Sequence, residues 1–233
     1  MDGFLLSAET VEIDPRIDYL TGRRKSDHPL APPPLPFETE NWPRDWDETT
    51  FLAFLEARPE DEKWELWDGE PRLVMTPATP RHQSITTRLA MLLELHFDER
   101  DMDFGAASEI GVRVPSDPVF LAIPDVVVTD QSMFTGYVEG VSPAFVDRFY
   151  LAAEVLSPSN TYGEIARKVS RYKEHPYCLY VLVMEQHEPA LVLYARDNEW
   201  SEQRIRGADA SLELPAFDFS APLSSIYRRV IGQ

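Results

Sequence analysis

Cysteine is almost absent from this chain, because Cys178 is the one cysteine among 233 residues. An internal disulfide is therefore impossible, and a zinc site built from several cysteine thiolates is excluded. Cys178 begins the apolar run of residues 178–183. This context predicts a buried core thiol rather than a nucleophile.

Basic residues are also scarce, with 22 Lys and Arg against 40 Asp and Glu, so the net charge is -18. This balance argues against a nucleic-acid partner, because most nucleic-acid-binding domains use basic residues to neutralise phosphates. Residues 167–173 nevertheless carry four cations without an intervening acid, and Arg81 and Arg88 mark another helical segment. The pattern fits either a local cationic patch or a solvated helix face paired with Glu164 and Glu174.

Long hydrophobic runs are missing as well. No apolar run approaches the roughly 20 residues that a membrane-spanning helix needs. The N-terminus has no basic segment followed by an apolar stretch. These absences predict a cytoplasmic protein without a membrane partner, and an apolar fraction of 43% allows a sizeable core.

Proline is concentrated near the N-terminus, in the tract of residues 28–36. Such a tract cannot form a helix or a central strand and is typical of extended polyproline. We therefore predict a proline-rich N-terminal arm over residues 1–41 and a compact domain over residues 42–233.

Hydrophobic periodicity in the compact domain predicts a mixed sheet flanked by helices, an α/β fold of the α+β type rather than a regular parallel one. Helices are expected at residues 47–55, 81–97 and 162–174, the first capped by Asp47. A hairpin over residues 65–75 is expected to turn at Asp68-Gly69. Further strands are expected at residues 108–114, 124–129, 149–155, 178–185 and 191–196, while the C-terminal tail gives little signal.

Two carboxylates stand at the ends of apolar runs. Asp125 opens the run of residues 124–129 and Glu154 closes the run of residues 149–155. If these strands are antiparallel neighbours, the two carboxylates meet, and they then share a proton or hold a hard divalent cation. Lys168 follows on the next helix. This combination is typical of a metal-dependent phosphodiesterase.

Several motifs in this order resemble the Uma-two family of restriction-endonuclease-like proteins, over roughly residues 51–195. The motifs are Trp64 to Glu70, Pro80 to Gln83, Pro124-Asp125, Glu154 to Ser159, Lys168 with Tyr172, and Tyr177 to Val181. The resemblance is specific because the spacing matches as well as the order.

The resemblance implies a restriction-endonuclease-like PD-(D/E)xK core with metal-dependent phosphodiester hydrolysis. Asp125 and Glu154 would bind Mg²⁺ or Mn²⁺, and the backbone carbonyl of Val155 would be a further ligand. The usual superfamily lysine, two positions after the glutamate, is Leu156 here. Lys168 on the following helix would take its place.

Other residues have weaker assignments. Glu65 is a catalytic candidate that would complete the metal shell from the hairpin, and the alternative is a surface or hairpin ion pair. His82 either makes a local hydrogen bond at the helix start or positions water or phosphate. Tyr172 is predicted to be core, and Ser157 and Ser159 are predicted to cap the helix that carries Lys168.

Three functions stay open at this point. The first is an endonuclease, a hydrolase acting on nucleic acid, with DNA favoured over RNA. The second is a catalytically silent binding or regulatory module on the same fold, which the acidic charge favours. The third is a metal-dependent hydrolase of a small phosphorylated substrate. We also expect a homodimer, formed through the N-terminal arm or a sheet edge.

Overall fold

The computed structural model describes residues 45–59, 62–74, 79–135, 145–157 and 160–230. The predicted arm of residues 1–41 lies outside these ranges, so the proposed domain division stays a prediction. The helices are α1 (Glu48–Glu56), α2 (Pro80–Glu99), α3 (Ser132–Thr135), α4 (Tyr162–Glu174) and α5 (Leu223–Ile226). Short 3₁₀ helices cover Arg196–Asn198 and Pro215–Phe217.

The strands are β1 (Trp64–Trp67), β2 (Glu70–Leu73), β3 (Phe104–Ala107), β4 (Gly111–Val114), β5 (Asp117–Ala122), β6 (Val126–Asp130), β7 (Phe145–Val146), β8 (Leu151–Val155), β9 (Tyr180–Met184), β10 (Ala190–Ala195), β11 (Glu202–Arg206), β12 (Ser211–Leu214) and β13 (Phe219–Pro222). They form a five-stranded sheet in the order β2-β1-β5-β4-β7 and a six-stranded sheet in the order β11-β10-β9-β8-β6-β3. Strands β12 and β13 form a separate hairpin.

The mixed α/β class is confirmed, but the expectation of one sheet was wrong because the described strands divide between two larger sheets and a hairpin. Each larger sheet contains a parallel pair, β4 with β7 and β8 with β9, among antiparallel neighbours. Helix α4 makes the crossover between β8 and β9, as parallel neighbours require. Helix α3, strands β3, β5 and β7, and everything after β10 were not foreseen.

The six-stranded sheet is covered on both faces. On one face, alternate residues of β6 and β8, such as Val126 and Ala153, pack against α2 and the C-terminal hairpin. On the other face, residues such as Val127 and Ala152 pack against α4 and the five-stranded sheet. Because both of their faces are buried, the central strands β6, β8 and β9 are mostly apolar rather than alternating.

The β1-β2 hairpin turns at Asp68 and Gly69, as predicted. Both residues have positive φ, 50° and 77°, which a two-residue type I′ turn requires and glycine adopts without strain. This turn projects the hairpin toward α4, where the Arg167 guanidinium forms an ion pair with Asp68.

Helix α2 confirms its predicted amphipathic pattern, with Ile85, Leu89 and Leu93 fully buried. Leu95 is 51% exposed. It lies two positions beyond Leu93, which turns it to the opposite side of the helix. Among the described helices, α2 included, none is both long and apolar enough to span a bilayer.

Candidate active site

Asp125 and Glu154 lie at the same end of neighbouring strands. Strands β6 and β8 are antiparallel with Val126 opposite Ala153, so the next pair outward is Asp125 and Glu154. The backbone N–H of Val155 donates a hydrogen bond to Asp125 Oδ2 at 2.7 Å. The structure therefore brings together the two carboxylates that the sequence singled out.

Lys168 reaches this point from α4. Its Nζ lies 3.1 Å from Glu154 Oε1 and 2.9 Å from Glu65 Oε1, and its side chain is 12% exposed. Glu65 belongs to β1 in the five-stranded sheet, whereas Glu154 belongs to the six-stranded sheet. One ammonium group thus joins carboxylates from the two sheets. Its charge also lies 5.8 Å from the centre of the Trp67 ring.

Both carboxylate oxygens of Glu65 accept hydrogen bonds. Its Oε1 accepts a hydrogen bond from the Ile123 backbone N–H at 2.7 Å, and its Oε2 accepts one from Trp67 Nε1 at 3.0 Å. The residue is buried. These contacts show that Glu65 anchors Lys168, and they leave its predicted part in a metal shell as a prediction.

Tyr172 was interpreted as a core residue, and it is fully buried between Phe120 and Phe149. Its hydroxyl nevertheless donates a hydrogen bond to Glu154 Oε1 at 2.8 Å. The ring therefore belongs to the core while the hydroxyl belongs to the site. A tyrosine in place of phenylalanine within an apolar helix stripe is the sequence signal for this second role.

The electrostatics of the cluster follow from burial and crowding. Burial raises the pKa of Glu154 to about 7, since the nearby Lys168 lowers it but Asp125 and Glu65 raise it again. Burial alone would lower the pKa of Lys168, yet the charges of Glu154 and Glu65 outweigh burial and raise it. Burial and the same carboxylates raise the pKa of the Tyr172 hydroxyl. Lys168 therefore stays charged. The single Lys168 charge does not offset the effects of burial and of the neighbouring carboxylates on Glu154.

His82, near the start of α2, completes the group from the other face of the sheet. Its Nε2 lies 3.1 Å from Asp125 Oδ2. Burial lowers the pKa of the imidazole, but the hydrogen bond and charge of Asp125 outweigh this effect, so the pKa is raised. Sequence reasoning named His82 without placing it at Asp125, because nothing in the sequence relates the start of α2 to the start of β6.

Gln186 was missed altogether. It is buried just after β9, and its Nε2 donates to the Leu156 carbonyl at 2.6 Å. Its Oε1 accepts a hydrogen bond from the Thr79 hydroxyl at 2.7 Å. Gln186 thereby ties the start of α2 to the end of β8. Its polar neighbours in the sequence resemble an ordinary loop, so no sequence signal could have singled it out.

The start of α4 differs from its prediction. Thr161, rather than Ser157, caps the helix: its side chain accepts a hydrogen bond from the Glu164 N–H, and Glu164 reaches back to the Thr161 N–H. This reciprocal capping box requires a glutamate three residues into the helix. Ser159 lies outside the described residues.

The cations around the site are largely paired. Arg72 and Arg167 both contact the face of Trp67, and they pair with Glu164 and Asp68 respectively. The same holds further along α4, where ion pairs join Arg171 to Asp117 and Glu174. The interpretation as a helix face paired with acids is therefore closer to the structure than an unpaired cationic patch.

The donor chemistry of the cluster suits a hard divalent cation. Asp125 and Glu154 offer carboxylate oxygens and Val155 a backbone carbonyl, the oxygen ligands that Mg²⁺ and Mn²⁺ take. The contacts described above use one oxygen of each carboxylate, Oδ2 and Oε1. Within the described ranges, no three His, Cys, Asp or Glu side chains are already gathered as a metal cage. The residues fit a loosely held ion that retains several waters.

Comparison with known proteins gives the family and the fold of the chain. A family model, Uma2, described as "putative restriction endonuclease", matches residues 49–224, and the chain belongs to this family. A crystal structure described as a "putative nuclease belonging to DUF820" from Anabaena variabilis ATCC 29413 has the same fold. Its TM-score is 0.64 at 14% identity, over 79% of this chain and 98% of that chain. No curated protein matches the chain.

Proposed function

We propose that this protein is a metal-dependent endonuclease that hydrolyses phosphodiester bonds in nucleic acid, with DNA as the favoured substrate. The observation that carries the proposal is the convergence of Asp125, Glu154 and Lys168 from two strand ends and one helix. Membership of a family described as "putative restriction endonuclease" supports the same activity.

Asp125, Glu154 and the carbonyl of Val155 are the groups that would hold Mg²⁺ or Mn²⁺. When bound, such a cation offsets the charge of the phosphodiester and lowers the pKa of a coordinated water. The raised pKa of Glu154 supports this assignment, because a buried carboxylate short of positive charge gains from a second cation.

Lys168 is placed to stabilise negative charge that develops on the phosphoryl oxygens. Its ammonium has three N–H donors, and the contacts with Glu65 and Glu154 use two of them. The third can point to substrate. Glu65 fixes the position of Lys168, and the Tyr172 hydroxyl fixes the carboxylate of Glu154.

The charge of the chain bears on the substrate. A net charge of -18 gives little non-specific attraction for nucleic acid, so binding depends on local cations. Arg72 and Arg167, each more than a third exposed, flank Lys168 on the Trp67 face and are the candidates for backbone phosphate contacts. On binding nucleic acid, each arginine would exchange its ion pair with a carboxylate for one with a backbone phosphate.

A second candidate is a catalytically silent binding or regulatory module. The observation that favours it is the ion-pair cluster itself, because Lys168 already neutralises part of the carboxylate charge without a metal. In this case Asp125, Glu154 and Lys168 would be a structural remnant of the family site. A hydrolase of a small phosphorylated substrate is the third candidate.

The experiment that separates these candidates is a cleavage assay. The full chain is incubated with supercoiled, linear and single-stranded DNA, with RNA, and with a small phosphate ester. Each substrate is tested in Mg²⁺, Mn²⁺ or EDTA. We expect nicking or cutting of DNA in metal and none in EDTA or with Glu154→Gln. Hydrolysis of the ester alone supports the third candidate, and no hydrolysis under any condition supports the binding module.

A further inference from the structure

Arg81 and His187 form an exposed pair near the ends of the strands that carry the carboxylate cluster. Arg81 Nη1 lies 3.1 Å from His187 Nδ1, and both residues are exposed. A guanidinium only donates hydrogen bonds, so Nδ1 is the acceptor and the neutral ring carries its proton on Nε2. The pair therefore offers a positive charge together with a second N–H donor.

Hydrogen bonds between the two neighbouring segments hold this pair in position. Arg81 lies two positions after Thr79, and His187 directly follows Gln186. The Thr79 hydroxyl donates to Gln186 Oε1 at 2.7 Å, and Gln186 Nε2 donates to the Leu156 carbonyl at 2.6 Å. Both segments are thereby fixed to the chain that leaves the end of β8.

The charge of Arg81 is not neutralised by an acid. Within the described parts of the chain, Arg81 forms no ion pair with a carboxylate. The acids that flank His187 have other surroundings. Glu188 pairs with Arg206 at 3.2 Å, and Glu185 lines a groove beside α4. A guanidinium that is positioned by a neutral imidazole keeps its full charge for an anion, and its planar N–H donors match the oxygens of a phosphate.

The pair lies on the opposite side of the cluster from the arginines already considered. Arg81 precedes His82, whose ring contacts Asp125 from the α2 face of the six-stranded sheet. Arg72 on β2 and Arg167 on α4 lie on the other face. Cations therefore flank the carboxylates on both sides, where a strand of nucleic acid crossing the cluster would carry its phosphates.

We propose that Arg81 and His187 bind a backbone phosphate of nucleic acid on the α2 side of the site. The inference rests on the proposed function and adds a contact surface to that of Arg72 and Arg167. A substrate that reaches both surfaces has phosphates on either side of the carboxylate cluster. The substrate is therefore a polynucleotide, and a small phosphate ester would occupy only part of the site.

The test is DNA binding by the full chain in EDTA, measured by fluorescence anisotropy of a labelled duplex at several salt concentrations. Arg204→Gln is the matched control for Arg81→Gln, because it removes the same charge from an exposed arginine that pairs with Glu202 on β11. We expect Arg81→Gln to bind roughly 5- to 10-fold more weakly at about 0.1 M salt. Its salt slope should fall by about 0.9, as the loss of one phosphate contact requires.

Two further variants grade the effect. Arg81→Lys keeps the charge but loses the planar fork, so its affinity should lie between those of Arg81→Gln and the wild type. His187→Asn removes a neutral donor, so binding should weaken by less while the salt slope stays unchanged. Thermal melting shows which variants are folded, and any folded member of this set still decides the point.

The outcomes distinguish the phosphate contact from the nuclease activity on which it rests. Equal affinities and salt slopes for Arg81→Gln and Arg204→Gln would overturn the contact, and DNA cleavage by the wild type in Mg²⁺ would then still support the proposed function. Absence of DNA binding and of DNA cleavage by the wild type would overturn both.

Discussion

Replacing Lys168 with methionine separates the structural role of the lysine from its proposed catalytic role. The aliphatic stem still packs, but the charge between Glu65 and Glu154 is lost. Breaking a buried ion pair by removing one partner costs about 3–5 kcal/mol, a large share of the 5–15 kcal/mol typical of a folded domain. We expect a metal-free Lys168→Met protein that is folded but less stable by about this amount.

The loss of folding stability caused by Lys168→Met should depend on pH. The pKa of Glu154 is raised from 4.5 to about 7 in the folded protein. A raised acid pKa contributes stability below pH 4.5 that is lost as the pH rises toward 7. Removing the Lys168 charge raises the pKa of Glu154 further. The loss of unfolding free energy in Lys168→Met should therefore be small near pH 4.5, where Glu154 is protonated, and larger at pH 8.

Urea denaturation at several pH values, with EDTA or with Mn²⁺, measures these effects. Lys173→Met is the matched control on the same helix, because Lys173 contacts the Tyr194 ring instead of the site and should cost no more than about 1 kcal/mol. Mn²⁺ should restore part of the stability of Lys168→Met but not its turnover. A large loss that Mn²⁺ does not relieve, with no cleavage by the wild type, would refute the enzymatic account.

Three further results are expected. Tyr172→Phe keeps the ring packing but removes the hydrogen bond to Glu154, so urea denaturation should show a loss of about 1–3 kcal/mol; an unchanged midpoint would contradict that bond. Cys178 is fully buried with its pKa raised to about 12 by burial, so a thiol reagent at pH 8 should label the native protein at least roughly 10³-fold more slowly than the unfolded chain. Sedimentation at micromolar concentration should show a homodimer, and a monomer would remove this prediction without affecting the fold.

Local sequence patterns predicted the elements whose own residues show a regular apolar spacing or a residue that ends the element. Helix α4 begins and ends as expected because Ile165, Val169 and Tyr172 recur at helical spacing and Pro176 follows the end. Strand β5 was missed because it begins with Asp117-Pro118, a pair typical of turns, although its later residues lie centrally between β1 and β4. Strand β11, with mostly exposed charged residues, joins the sheet by backbone pairing that composition does not reveal.

The same contrast applies to the site. The proximity of Asp125 and Glu154 could be predicted, because adjacent antiparallel strands that begin and end on carboxylates have few other arrangements. The contact between His82 and Asp125 depends on where α2 crosses the six-stranded sheet, and the contact between Glu65 and Lys168 depends on a second sheet. Tertiary placement of whole elements sets both contacts, and a single sequence does not encode it in a short pattern.

The most direct test of the central claim is the single-turnover rate at which the full chain cleaves DNA in saturating Mn²⁺. Glu154→Gln should abolish this rate while the protein stays folded, because the variant removes the charge that is proposed to bind the metal without changing the shape of the side chain. Glu213→Gln, which changes an exposed glutamate on β12, should cleave as fast as the wild type. Equal rates for Glu154→Gln and the wild type would contradict the assignment of the active site.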